Sequence, residues 1–68
     1  MAAGETEMQM VQRRIREGAD RIERQRVALA RLRATGHPAT KLAEALLVTL
    51  EAAQRQHEAD LERLTRAG

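Results

Sequence analysis

The 68-residue sequence predicts an all-α fold: an antiparallel two-helix hairpin that dimerises into a four-helix bundle. Three observations carry that reading. Aromatic residues and cysteines are both absent, so a core has to be built from Leu, Ile, Val, Met and Ala, with no disulfide or thiolate metal site to staple it. Apolar or small residues recur at alternating steps of three and four from Met8 to Leu32, which is the heptad seam of a helix lying along a partner. Gly36 and Pro38 then interrupt the helical pattern near mid-chain.

The seam of the first helix is Met8, Val11, Ile15, Gly18, Ile22, Gln25, Leu29 and Leu32. Thr6 followed by Gln9 fits a capping box, and Glu5 and Glu7 suit the positive end of a helix dipole. Arg31 and Arg33 lie near the other end, and Gly36 stands where a left-handed residue closes a helix. These signals place a flexible tail at 1–5 and the first helix at about 6–35.

In "LRATGHPATKLAE" (Leu32 to Glu44), Pro38 cannot continue that helix but suits the first turn of the next. The turn falls at about 36–37, with His37 as a turn residue, and the second helix at about 38–66, leaving 67–68 as a tail. Its apolar stripe reads Leu42, Leu46, Leu50, Ala53, His57, Leu61 and Leu64, closer to an eleven- than a seven-residue repeat and hence a straighter helix. So short a turn folds the helices antiparallel. Leu32 then faces Leu42, Leu29 faces Leu46, Ile22 faces Ala53, Ile15 faces Leu61, and Gly18 makes room for His57.

A lone hairpin of this length leaves one side of its core open, and its burial roughly cancels an ordering cost of about 1.5 kcal/mol per residue. Self-association is the natural remedy. The expected interface uses Val27, Leu29, Ala30 and Leu32 from the first helix. The second helix supplies Leu42, Ala43, Leu46, Leu47 and Leu50. On this reading Leu47→Asp gives monomers of reduced helicity.

Charge divides unevenly. Residues 5–35 hold eight arginines against five acids, and residues 38–66 hold Lys41 and three arginines against five acids. Arg13–Glu17–Arg21 and Arg16–Asp20–Arg24 form ladders at four-residue spacing. Arg26, Arg31, Arg33 and Lys41 have no acid between Glu23 and Glu44 to match them. They read either as a solvated basic helix end or as a phosphate-contacting patch for RNA or DNA.

Other function classes find little footing. The chain has no serine or cysteine, no glycine-rich phosphate loop and no paired-carboxylate pocket, so an enzyme is not expected. His37 and His57 belong at opposite ends of the hairpin, so neither a metal nor another cofactor is expected. His57–Glu58 resembles the phosphoacceptor setting of sensor histidine kinases, but it lies on the second helix, near its end and on its apolar face. A packing role is expected instead. The longest strongly apolar stretch, Ala45 to Leu50, is far short of the roughly 20 residues needed to cross a membrane. With an acidic start that lacks the pattern of a secretory signal, the expectation is a cytoplasmic protein without membrane contact.

"EGADRIERQRVALARLRATGH" followed by "TKLAEALLVTLEAAQRQH" resembles a group of short, uncharacterised bacterial helical-hairpin proteins of alpha-proteobacterial type. The matching positions are Gly18, Gln25, Arg26, Gly36, Ala43 and Glu44, continuing with Leu46, Leu47, Leu50, Glu51 and His57, within roughly residues 13–64. The resemblance implies a helical hairpin and brings no activity. In architecture alone the chain is similar to plasmid repressor-of-primer proteins, hairpins that dimerise into four-helix bundles and bind paired RNA loops. The expected function is a self-associating protein-interaction or regulatory module, its partner other than itself unknown. The alternative is a hairpin dimer that binds RNA or DNA through the loop-end cations.

Overall fold

The computed structural model describes residues 4–67, so the parts of the expected tails at 1–3 and 68 lie outside the described residues. Two helices, α1 (Glu7–Thr35) and α2 (Thr40–Ala67), pack against each other as an antiparallel hairpin measuring 49 × 28 × 13 Å. Thr6 caps α1 as its spacing to Gln9 implies. Its hydroxyl accepts from the Gln9 amide at 3.0 Å, and the Gln9 side chain accepts from the Thr6 amide at 3.0 Å. Two of the free amides at the helix start are thereby satisfied.

Gly36 ends α1 at φ 63, ψ 32, in the left-handed region that glycine enters without a Cβ penalty. Its amide donates to the Arg33 carbonyl at 3.2 Å, and the next amide, of His37, reaches back to the Leu32 carbonyl at 2.9 Å. This paired closure satisfies carbonyls the helix cannot pair itself. His37 does more than occupy the turn: its Nδ1 accepts from the Ala39 amide at 2.9 Å and its carbonyl accepts from the Thr40 amide and hydroxyl. The histidine thus caps the second helix in the way Ser or Asp commonly does. Pro38 and Ala39 form a turn, and regular helix begins at Thr40.

The core is thin. Leu29, Val11, Ile22 and Ala43 are the buried apolar residues, with Leu29 only 3 % exposed. On α1 the buried and half-buried positions include the expected seam from Met8 to Leu32, and Met10 joins it as half-buried. On α2 the seam differs from expectation. Ala43 is buried, and Leu47, Leu50, Gln54, His57, Leu61 and Leu64 are half-buried, a regular alternation of four and three. Leu42 is 76 % exposed and Leu46 47 %. They therefore lie outside the seam in which Leu32 and Leu29 sit, and the second helix keeps the same seven-residue repeat as the first. The expected stripe had crossed at Leu50 from one row of α2 to its neighbour.

Two glutamines fix how the helices meet. Gln54 Nε2 donates to the Ile15 carbonyl at 2.8 Å, and Gln25 Nε2 donates to the Ala43 carbonyl at 3.0 Å. Each helix sends one amide across the seam to the other's backbone. Gly18 is the necessary gap for the first: a Cβ there would collide with Gln54 Oε1. The glycine makes room for Gln54, three residues from the histidine expected in that place. A half-buried polar group at a seam position favours one register, since a slip takes it from its partner.

Candidate functional site

The hairpin has two long edges, one on each side of the seam, and they differ in chemistry. Along one edge, Arg26 pairs with Glu51 at 3.0 Å and Arg33 with Glu44 at 2.7 Å, each bridging α1 to α2. The hydrogen bond from Arg33, reinforced by the charges of Arg33 and Lys41, holds the Glu44 carboxyl below its ordinary value of 4.5. Arg26 and Arg33 are therefore not unmatched, because their acids come from the opposite helix. Arg31 and Lys41 are exposed and make no ion pair among the described residues.

The rest of the charge is handled locally. Arg13 binds Glu5 through Nε at 2.9 Å and Glu17 at 3.0 Å, while Arg24 binds Asp20 at 3.1 Å. The Arg13 hydrogen bond is the main reason the Glu5 carboxyl titrates below its usual range, with the nearby Arg14 and Arg16 adding to it. Near the end of α2, Arg63 pairs with Asp60 and Arg66 with Glu62.

The other edge carries no interhelical ion pair among the described residues. There α2 presents Leu42, Leu46, Thr49 and Ala53, all exposed and spaced by four, three and four residues. Such spacing makes a second stripe beside the seam. Farther from the turn the same edge opens into a groove of about 310 Å³ lined by Arg14, Gly18, Arg21, Ala53, Gln54 and His57, among others. His57 Nδ1 and Gln54 Oε1 are covered there without hydrogen-bond partners. The amide oxygen occupies the space that a Cβ at residue 18 would fill. No three His, Asp or Glu side chains gather into a metal-ligand set among the described residues.

The nine expected interface residues split into two groups. Leu29 and Ala43 are buried in the hairpin's own core, and Leu32, Leu47 and Leu50 are half-buried in its seam. Val27, Ala30, Leu42 and Leu46 are exposed. Val27 and Val48, 43 % and 62 % exposed, lie off the leucine stripe. Gln54 was the residue missed: the spacing Leu47, Leu50, Gln54, His57, Leu61, Leu64 contains it, once a polar residue is allowed in a seam as Gln25 was in α1.

No family model, curated protein or solved structure matches the chain. No helix is long and apolar enough to cross a membrane among the described residues.

Proposed function

We infer that the chain is a non-enzymatic, cytoplasmic hairpin that self-associates and works as a protein-interaction or regulatory module. The exposed leucine stripe on the edge without ion pairs is the observation that carries this reading. Leu42 and Leu46 occupy helix beside a core with four buried apolar residues among the described residues. Covering them stabilises the assembly by about 25 cal/mol for each Å² of apolar surface removed from water.

Light scattering coupled to size-exclusion chromatography tests it. The native chain is expected at twice its 7.6 kDa monomer mass. Leu46→Asp is expected to return the monomer with helicity retained, because residue 46 faces outward. A native chain that stays monomeric at high micromolar concentration would overturn the reading. The nucleic-acid alternative rested on four loop-end cations, two of which are engaged across the helices. Absorbance at 260 nm in the same run addresses it, since a chain without aromatic residues contributes almost nothing there. A nuclease-sensitive signal would bring that alternative forward.

A further inference from the structure

The surface area bears on what covers the leucine stripe. The accessible surface is 5284 Å², whereas a compact monomer of this mass exposes roughly 4300 Å². The excess of about 1000 Å² is close to the roughly 800 Å² that each partner gives to a standard interface. The excess belongs to the whole elongated hairpin, and a standard interface with a second copy would cover an area of that order.

The stripe also has a self-complementary shape. Read from the turn it runs Leu42, Leu46, Thr49, Ala53: two large side chains, then two smaller ones. Apposed antiparallel about a two-fold axis between Leu46 and Thr49, Leu42 meets Ala53 of the second copy and Leu46 meets its Thr49. Large against small is the arrangement that lets facing layers interdigitate. Apposed parallel, leucine would meet leucine and alanine would meet alanine, leaving a bulge at one end and a gap at the other.

Repulsion between the turns favours the same orientation, with Arg14 and Arg21 at the groove the cations the turns then approach. Arg31 and Lys41, both without ion-pair partners among the described residues, stand near the turn. A parallel dimer would bring two such tips side by side. The antiparallel one holds the turns about 30 Å apart along the axis, well beyond the Debye length of about 8 Å at physiological salt.

We propose that two hairpins associate antiparallel through the Leu42–Leu46–Thr49–Ala53 stripe of α2, with turns at opposite ends. Because the axis lies nearer the turn than the middle of α2, the overlap is staggered. Four helices run together over the turn-proximal halves, where the second copy's Leu42 reaches the near end of the groove at Ala53, and the distal halves beyond His57 project as two-helix arms. The proposal rests on the self-association reading, and the test separates the two.

The chain has no native cysteine, so introduced ones report cleanly. Leu42→Cys and Ala53→Cys chains are mixed in equal amounts, checked for dimer mass under reducing conditions, oxidised and weighed by mass spectrometry. The expected product is the mixed 42–53 disulfide. The 42–42 disulfide is excluded, because those residues lie about 16 Å apart along the axis, beyond the span of a disulfide. A nitroxide on Ala39→Cys, which leaves the stripe intact, is expected to report a separation of about 25 Å or more. Dimers giving 42–42 and 53–53 products, or a label separation below about 15 Å, would overturn the antiparallel orientation and leave self-association standing. A monomer mass for the native chain would overturn both.

Discussion

α1 and α2 are nearly equal in length, 29 and 28 residues, yet they use their surfaces differently. α1 has a single seam, and most of its remaining surface is arginine and glutamate. α2 has the same kind of seam and a second stripe beside it. One side of α1 is committed to the hairpin, whereas α2 is committed on one side and available on another. The difference shows that apolarity alone does not choose a seam. Which row of α2 turns inward is decided by fit: Gln54 enters the gap at Gly18, and Ala43 accepts the amide of Gln25.

The sharpest way to break this contrast is a pair of adjacent substitutions. Leu47→Asp places a carboxylate in the seam, where an unpaired charge costs several kcal/mol, more than so thin a core holds in reserve. Circular dichroism at 222 nm is expected to show loss of most helicity, a larger loss than the monomers of reduced helicity expected from the sequence. Leu46→Asp is expected to leave the helical signal intact. If the two variants behave alike, the two-row description of α2 is wrong.

Leu29→Ala removes the most buried side chain and is expected to cost about 2–4 kcal/mol in urea denaturation. Leu42→Ala at concentrations where the chain is monomeric is expected to cost less than about 0.5 kcal/mol. A large loss from Leu42→Ala in the monomer would mean that the exposed stripe packs within the hairpin after all.

A double-mutant cycle probes the glutamine fit. In a Gln54→Ala background, Gly18→Ala is expected to stabilise by about 1 kcal/mol, the ordinary gain of alanine over glycine within a helix. In the native background the new Cβ displaces the Gln54 amide from its bond to Ile15, and that gain is expected to vanish or reverse. Equal effects in both backgrounds would remove the coupling.

The smallest effect concerns acid. Glu44 and Glu5 have carboxyls held below 4.5 by their arginine partners. Groups with depressed values in the folded state contribute stability above the unfolded value and lose it as pH falls through the folded one. The urea midpoint is therefore expected to decline only below about pH 4.5, weakly and less so at high salt, because both pairs are exposed. Glu44→Gln should flatten part of that decline; an unchanged slope would mean the Arg33–Glu44 pair contributes nothing.

How far the sequence revealed this structure follows the same division. The capping box at Thr6, the left-handed close at Gly36 and the α1 seam were legible because each rests on local chemistry at fixed spacing. The row chosen on α2 was not, since Leu42 and Leu46 look as core-like as Leu47 and Leu50. Only the opposite helix distinguishes them. For the same reason Arg26 and Arg33 looked unmatched: their acids are 25 and 11 residues away in the chain. His37 showed as a turn residue but not as a cap, because imidazole is an uncommon cap and its role depends on Nδ1 facing the Ala39 amide.

The two glutamine bonds have a consequence for how the chain tolerates mutation. In each, the acceptor is a backbone carbonyl, a group that every amino acid supplies. Substituting Ile15 or Ala43 therefore changes what surrounds the bond without deleting its receiving end. While the hairpin stays folded, a substitution breaks it directly by losing the glutamine or by filling the space its amide occupies. Half of each link lies beyond the reach of the genetic code, and what remains exposed to drift is two amides and the small residues that give them room.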